Sequence, residues 1–126
     1  MSRILVADDD PSVRELCQIV LSTEGYDVLL AEDAAEAIAI AREQHPDLIL
    51  LDWMMPGVDG MDALLILKGD PATLDVPVIM LTALDGMPQI TLATYNGADG
   101  YVTKPFDMVD LLSLVRRFTQ EQLPAR

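Results

Sequence analysis

The sequence predicts an α/β domain in which a parallel sheet carries helices on both faces. Three observations predict it. Five apolar blocks of strand length mostly lack polar alternation, as strands buried on both faces do. Stretches of helical period separate them, so strand and helix alternate five times. Residues suited to starting and stopping helices stand where the periods begin and end. Right-handed crossovers then place helices on both sides of the sheet.

The first strand is Ile4-Leu5-Val6-Ala7. Asp10 as N-cap and Pro11 at the first helical position open the first helix. Its apolar stripe, Val13, Leu16, Cys17, Val20 and Leu21, faces inward, and Gly25 stands at the C′ position. Strand two is Asp27–Ala31. The second helix begins at Asp33, turns Ala37, Ile38 and Ala41 inward, and ends before His45-Pro46. Strand three, Leu48–Leu51, precedes a helix over Met61–Lys68. Strand four, Val78–Leu81, precedes one over Pro88–Asn96, closed by Gly97. Strand five, Tyr101–Thr103, leads to a helix over Met108–Gln122 capped by Asp107. The expected division is one domain over residues 1–122, with 123–126 a tail or the start of a linker.

Length and composition narrow the functions. A chain of 126 residues suits one domain with a full core. Its 51% hydrophobic residues rule out a disordered acidic tail. One cysteine excludes a disulfide scaffold or a multi-cysteine zinc site and fits a reducing compartment. The chain runs into Asp8-Asp9-Asp10 before a signal-like apolar region is complete, and its apolar runs fall far short of the ~20 residues of a membrane span. A net charge of −13 disfavours direct contact with nucleic-acid phosphates. The expectation is a cytoplasmic domain that binds neither membrane nor nucleic acid.

In open parallel sheets, ligands sit beyond the carboxyl ends of the strands. There the sequence places Asp8-Asp9-Asp10, Asp52, Thr82-Ala83 and Thr103-Lys104-Pro105. Carboxylates this close repel one another unless a cation sits among them. Oxygen-only donors suit Mg²⁺. Lys104, one of two lysines with Lys68, and the Thr82 hydroxyl can bind one phosphoryl group. Asp10 is read as a helix cap, and Asp59-Gly60 as a turn before helix three.

These segments resemble the receiver domain of two-component response regulators over about Arg3–Thr119. The resemblance rests on Ile4–Asp10, Leu50–Gly60 with its Asp52-Trp53-Met54-Met55-Pro56, Val78–Ala83, and Gly97–Phe106. It implies a flavodoxin-like (βα)5 three-layer sandwich with strand order 2-1-3-4-5. Asp52 matches the phosphoacceptor. Asp9 matches the direct Mg²⁺ ligand, Asp8 the one acting through water, and the Met54 carbonyl the third protein ligand. Thr82, Ala83 and Lys104 match the phosphoryl-binding positions, Pro105 a residue joined by a cis bond, and Tyr101 the aromatic switch. The implied donor is a histidine kinase, a histidine phosphotransfer protein or a small acyl phosphate. The implied output is a change in the surface of helix four, strand five and helix five. That surface would act on a partner, on a following output domain, or through a weak or phosphorylation-dependent homodimer. Such a protein modifies itself and is not an enzyme in the usual sense.

Some positions depart from the family. Met54 and Leu84 flank the phosphoryl position and cannot orient a water, which predicts slow self-hydrolysis. Gly100 and Leu114 stand where the winged-helix branch usually has Asp and often has Arg, so a charge-paired dimer is disfavoured; at least two of Leu111, Leu114 and Val115 are expected to pack partly in the core. Trp53 can cover the site or contact a partner, Cys17 is expected to be buried and inert, and Met55, Met61, Met80, Met87 and Met108 to fill core. An FMN-binding reading fails because Asp8-Asp9-Asp10 would repel the phosphate. A haloacid-dehalogenase-type phosphatase would carry Asp at position 54, and the phosphate-binding loop of kinases is missing. A degenerate receiver, acting as a phosphorylation-independent scaffold, is the alternative; it has no use for an intact Asp8, Asp9, Asp52, Thr82, Lys104 set.

Overall fold

The structure, a computed structural model, describes residues 2–83 and 86–120. The elements alternate in the order β1 (Arg3–Ala7), α1 (Pro11–Thr23), β2 (Asp27–Ala31), α2 (Ala34–Gln44), β3 (Leu48–Asp52), α3 (Gly60–Gly69), β4 (Val78–Thr82), α4 (Met87–Tyr95), β5 (Gly100–Thr103) and α5 (Met108–Gln120). The expected residues 121 and 122 of the last helix, the tail at 123–126, and Leu84 lie outside the described residues. All strands pair in parallel, in the order β2-β1-β3-β4-β5.

The period-two alternation of a strand explains the layers. Leu5, Ala7, Ile49, Leu51, Val78 and Met80 point to one side, where they meet Ala37, Ile38 and Ala41 of α2, Leu64 and Leu67 of α3, and Ala93 of α4. Ile4, Val6, Leu48, Leu50, Ile79 and Leu81 point to the other, against Cys17 and Leu21 of α1 and Leu111 and Val115 of α5. The central strands β1, β3 and β4 are buried almost throughout, whereas the edge strands β2 and β5 are largely half-buried.

The caps stand where the sequence places them. Asp10 Oδ1 accepts from the Ser12 amide at 2.9 Å, Asp33 Oδ1 from Glu36 at 2.8 Å, and Asp107 Oδ1 from Val109 at 2.7 Å. Gly25 and Gly97 follow α1 and α4 with φ of +93° and +108°, where a Cβ would be strained. His45 closes α2 in the left-handed region at φ 50°.

Three expectations fail. Leu16 is 46% exposed although it falls on the inward period of α1, because the buried stripe narrows to Cys17 and Leu21. Met87 is 70% exposed at the start of α4 and fills no core. Asp59-Gly60 is a helix start, with Asp59 Oδ1 accepting from the Asp62 amide at 2.9 Å and Gly60 as the first residue of α3. Leu111 and Val115 are fully buried and Leu114 is half-buried, as expected.

Candidate phosphoacceptor site

After β1 the chain crosses to β2 on one side, and after β3 it crosses to β4 on the other. A crevice therefore opens at the carboxyl ends of these neighbouring strands. Register decides what enters it. Ala7 lies beside Leu51, which brings Asp8 next to Asp52; Asp52 pairs with Leu81, which sets Thr82 one step beyond. Thr82 in turn pairs with Thr103, and its carbonyl accepts the Lys104 amide at 2.8 Å. The Lys104–Pro105 peptide is cis, as the resemblance implied.

Asp8 is fully buried, with Oδ1 accepting from the Asp10 amide at 2.9 Å and Oδ2 held 2.6 Å from Lys104 Nζ. Asp52 is 4% exposed; its Oδ1 accepts from the Met54 amide at 3.3 Å, and its Oδ2 lies 3.3 Å from the same ammonium. Asp9 is exposed at the mouth. Thr82 is buried, Ala83 exposed, and Tyr101 half-buried against the α2–α3–α4 side of the core. Met54 is 61% exposed at the rim. Trp53, Met54, Met55 and Pro56 line a cleft of about 540 Å³ between Asp9 and Asp59, so Trp53 covers one flank of the site.

Burial, and then the neighbouring Asp8, push the Asp52 carboxyl up to about 6, against the pull of Lys104. For Lys104, burial alone would lower the ammonium, but Asp8 and Asp52 together hold it above its ordinary value. Cys17, beneath the site, is pushed up to about 11 by burial and by Asp8, which makes it a poor nucleophile.

The donors suit a small hard cation. One carboxylate oxygen from each of Asp8, Asp9 and Asp52 lies within 4.8 Å of the others. Opposite ligands of a Mg²⁺ octahedron with ~2.1 Å bonds stand ~4 Å apart, so one ion can bridge this set directly or through its waters. No His or Cys joins this group among the described residues, which disfavours zinc.

Two residues to which the sequence assigned no part in the site shape it. Gly60 packs so close under β3 that a Cβ there would fall 2.1 Å from the Asp52 carbonyl oxygen. Arg14 Nη1 reaches back from α1 to the Asp8 carbonyl at 2.8 Å. Its only signal was a basic residue one helical turn beyond an acidic triplet.

The topology, with acidic groups gathered at its switch point, places the protein in the open parallel α/β class, and comparison makes the class specific. The family model described as the response regulator receiver domain matches residues 4–116. The DNA-binding response regulator MtrA of Mycolicibacterium smegmatis is 45% identical over 114 residues, covering 90% of this chain and 49% of MtrA. The Francisella response regulator 1452 receiver domain superposes with a TM-score of 0.91 at 32% identity, covering 98% of this chain and all of that one (100%). The receiver domain of sensor histidine kinase PA1611 from Pseudomonas aeruginosa, solved with a magnesium ion coordinated in its active site cleft, superposes at 0.86 with 28% identity, covering 94% of this chain and 98% of that one. The chain belongs to the response regulator receiver domain family of two-component signal transduction. It spans about half the length of the curated relatives it matches.

Proposed function

We propose that Asp52 accepts a phosphoryl group from a phosphohistidine on a sensor kinase or phosphotransfer protein, or from a small acyl phosphate. The observation that carries this reading is the buried Asp52 carboxylate, with Lys104 Nζ at 3.3 Å and the Asp8 and Asp9 oxygens within 4.8 Å. At neutral pH a carboxyl of pKa about 6 is mostly ionised, so the nucleophile is ready without a general base. An Asp52 oxygen attacks phosphorus as the bond from phosphorus to the donor nitrogen or oxygen breaks; the bonding pair leaves with the donor, and Asp52 becomes an acyl phosphate. Asp9, Asp52 and the Met54 carbonyl would hold Mg²⁺, with Asp8 acting through a water. When bound, the ion supplies positive charge against the phosphoryl oxygens. Lys104 turns from Asp52 to the incoming oxygens, and Thr82 and Ala83 close the opposite side, so catalysis is positioning and electrostatics.

The product adds ~1.5–2 negative charges beside Thr82 and Lys104. Drawing these two inward makes room for Tyr101 to turn, which biases the surface of α4, β5 and α5. That surface would control a partner, a following output domain, or a weak homodimer, in the cytoplasm and without contact to nucleic acid by this domain. No helix among the described residues is long and apolar enough to cross a membrane.

Incubation with Mg²⁺ and a small acyl phosphate, followed by intact-mass measurement, tests the reading. One phosphoryl adduct is expected, absent without Mg²⁺ and in Asp52→Asn. An adduct that persists in Asp52→Asn would overturn the assignment. No adduct from either an acyl phosphate or a phosphohistidine donor would favour the scaffold alternative.

A further inference from the structure

We propose that Arg14 is a positioning residue for the metal-binding carboxylates, acting through the peptide that joins Asp8 to Asp9. This rests on the phosphoacceptor reading above. Arg14 sits one turn into α1, where its own amide donates to the Asp10 carbonyl at 3.1 Å. Its guanidinium turns back over the start of the helix, and Nη1 donates to the Asp8 carbonyl at 2.8 Å. Nη2 stands 3.4 Å from Glu32 Oε1, in the turn after β2. The Arg14 side chain is only 15% exposed, whereas Glu32 is 72% exposed, so the carbonyl bond is the sheltered end of the strap.

The Asp8 carbonyl belongs to the same planar unit as the Asp9 amide, and fixing one orients the other. Asp8 and Asp52 have their carboxylates held by the Asp10 and Met54 amides and by Lys104. Asp9, exposed at the mouth, depends on the peptide plane from which it projects. Outer partners that orient ligands in this way are typically worth 10–100-fold in metal affinity.

Electrostatics alone predicts the opposite sign. Removing a cation from beside an acidic cluster would strengthen Mg²⁺ binding, because Arg14 and the ion repel. The direction of the change therefore separates positioning from charge.

The experiment is a Mg²⁺ titration of the protein followed by Trp53 fluorescence, with adduct formation from a small acyl phosphate measured alongside. For Arg14→Met the Mg²⁺ midpoint is expected to rise about 10-fold, with the adduct rate at saturating Mg²⁺ within about two-fold of wild type. Arg14→Lys keeps a charge and one donor; it is expected to fall between the two and serves if the Met variant fails to fold. A midpoint that is unchanged or lowered in the folded variants overturns the proposal, as does a rate loss that persists at saturating Mg²⁺. A wild-type protein that shows neither a Mg²⁺ response nor an adduct overturns the phosphoacceptor reading itself.

Discussion

The ammonium of Lys104 lies 2.6 Å from Asp8 Oδ2, joining residues 96 positions apart. The same ammonium reaches Asp52 at 3.3 Å, so one cation holds two buried carboxylates together. Lys104 thus offsets part of the repulsion between the two carboxylates. Removing one partner of a buried pair leaves an uncompensated charge and costs about 3–5 kcal/mol.

Lys104→Met is therefore expected to lose about 3 kcal/mol in metal-free protein at neutral pH, because Asp8 is left fully buried without its cation. Mg²⁺ should restore more stability to this variant than to wild type, since the ion replaces the missing charge. Urea denaturation with and without Mg²⁺ checks it; equal effects of the metal on both proteins would contradict the prediction.

Asp52 gives a pH dependence of defined sign. Its carboxyl is raised from 3.8 to about 6, mainly by burial and next by Asp8. Between these values the unfolded chain has released the proton while the folded chain keeps it. Stability from this group therefore falls as pH rises through the window, by roughly 3 kcal/mol in total. In metal-free protein, Asp52→Asn should exceed wild type by about 2–3 kcal/mol above about pH 7 and match it below about pH 4. Denaturation midpoints across that range test it, and a gap independent of pH would count against it.

Gly60→Ala should be severe. The new Cβ would meet the Asp52 carbonyl oxygen at 2.1 Å and the Trp53 Cα at 2.5 Å, and both are backbone atoms that cannot swing away. A loss of roughly 3 kcal/mol is expected, at the top of the range for overpacking. Gly69→Ala, at the other end of α3 with nothing within 4 Å, should change stability by less than about 1 kcal/mol. Thermal melts of the two variants side by side settle the contrast.

These contrasts show what the sequence could convey. Apolar blocks such as Leu48–Leu51 reveal strands because burial on both faces leaves no polar alternation, and Asp10, Asp33 and Asp107 reveal helix starts because capping is local chemistry. The strand-end residues Asp8, Asp9, Asp52, Thr82 and Lys104 were legible because a parallel sheet delivers every strand end to one edge. Gly60 was read only as a turn, because the approach of α3 to β3 is set by tertiary packing. Arg14 was missed because the reach of a guanidinium back over a helix end leaves no periodic trace. Leu16 shows the limit of periodicity: it borders a groove with Val13, Ala83, Lys104, Pro105 and Phe106, at the rim of the α1 stripe.

Cys17 should behave as a core residue. Buried and pushed up to about 11, its thiol should resist alkylation in the folded protein and react readily in denaturant. Timed labelling with iodoacetamide followed by mass measurement tests this; rapid labelling of the native protein would contradict it.

The central claim is that Asp52 forms an acyl phosphate, and its own reactivity offers the most direct test. The protein is incubated with Mg²⁺ and a small acyl phosphate, then treated with borohydride, which reduces an aspartyl phosphate to homoserine. Peptide mass spectrometry then locates the change. Homoserine at position 52 alone, dependent on both Mg²⁺ and donor, is the predicted result. Homoserine at Asp8, Asp9 or Asp59, or none at position 52 under phosphorylating conditions, would contradict the account.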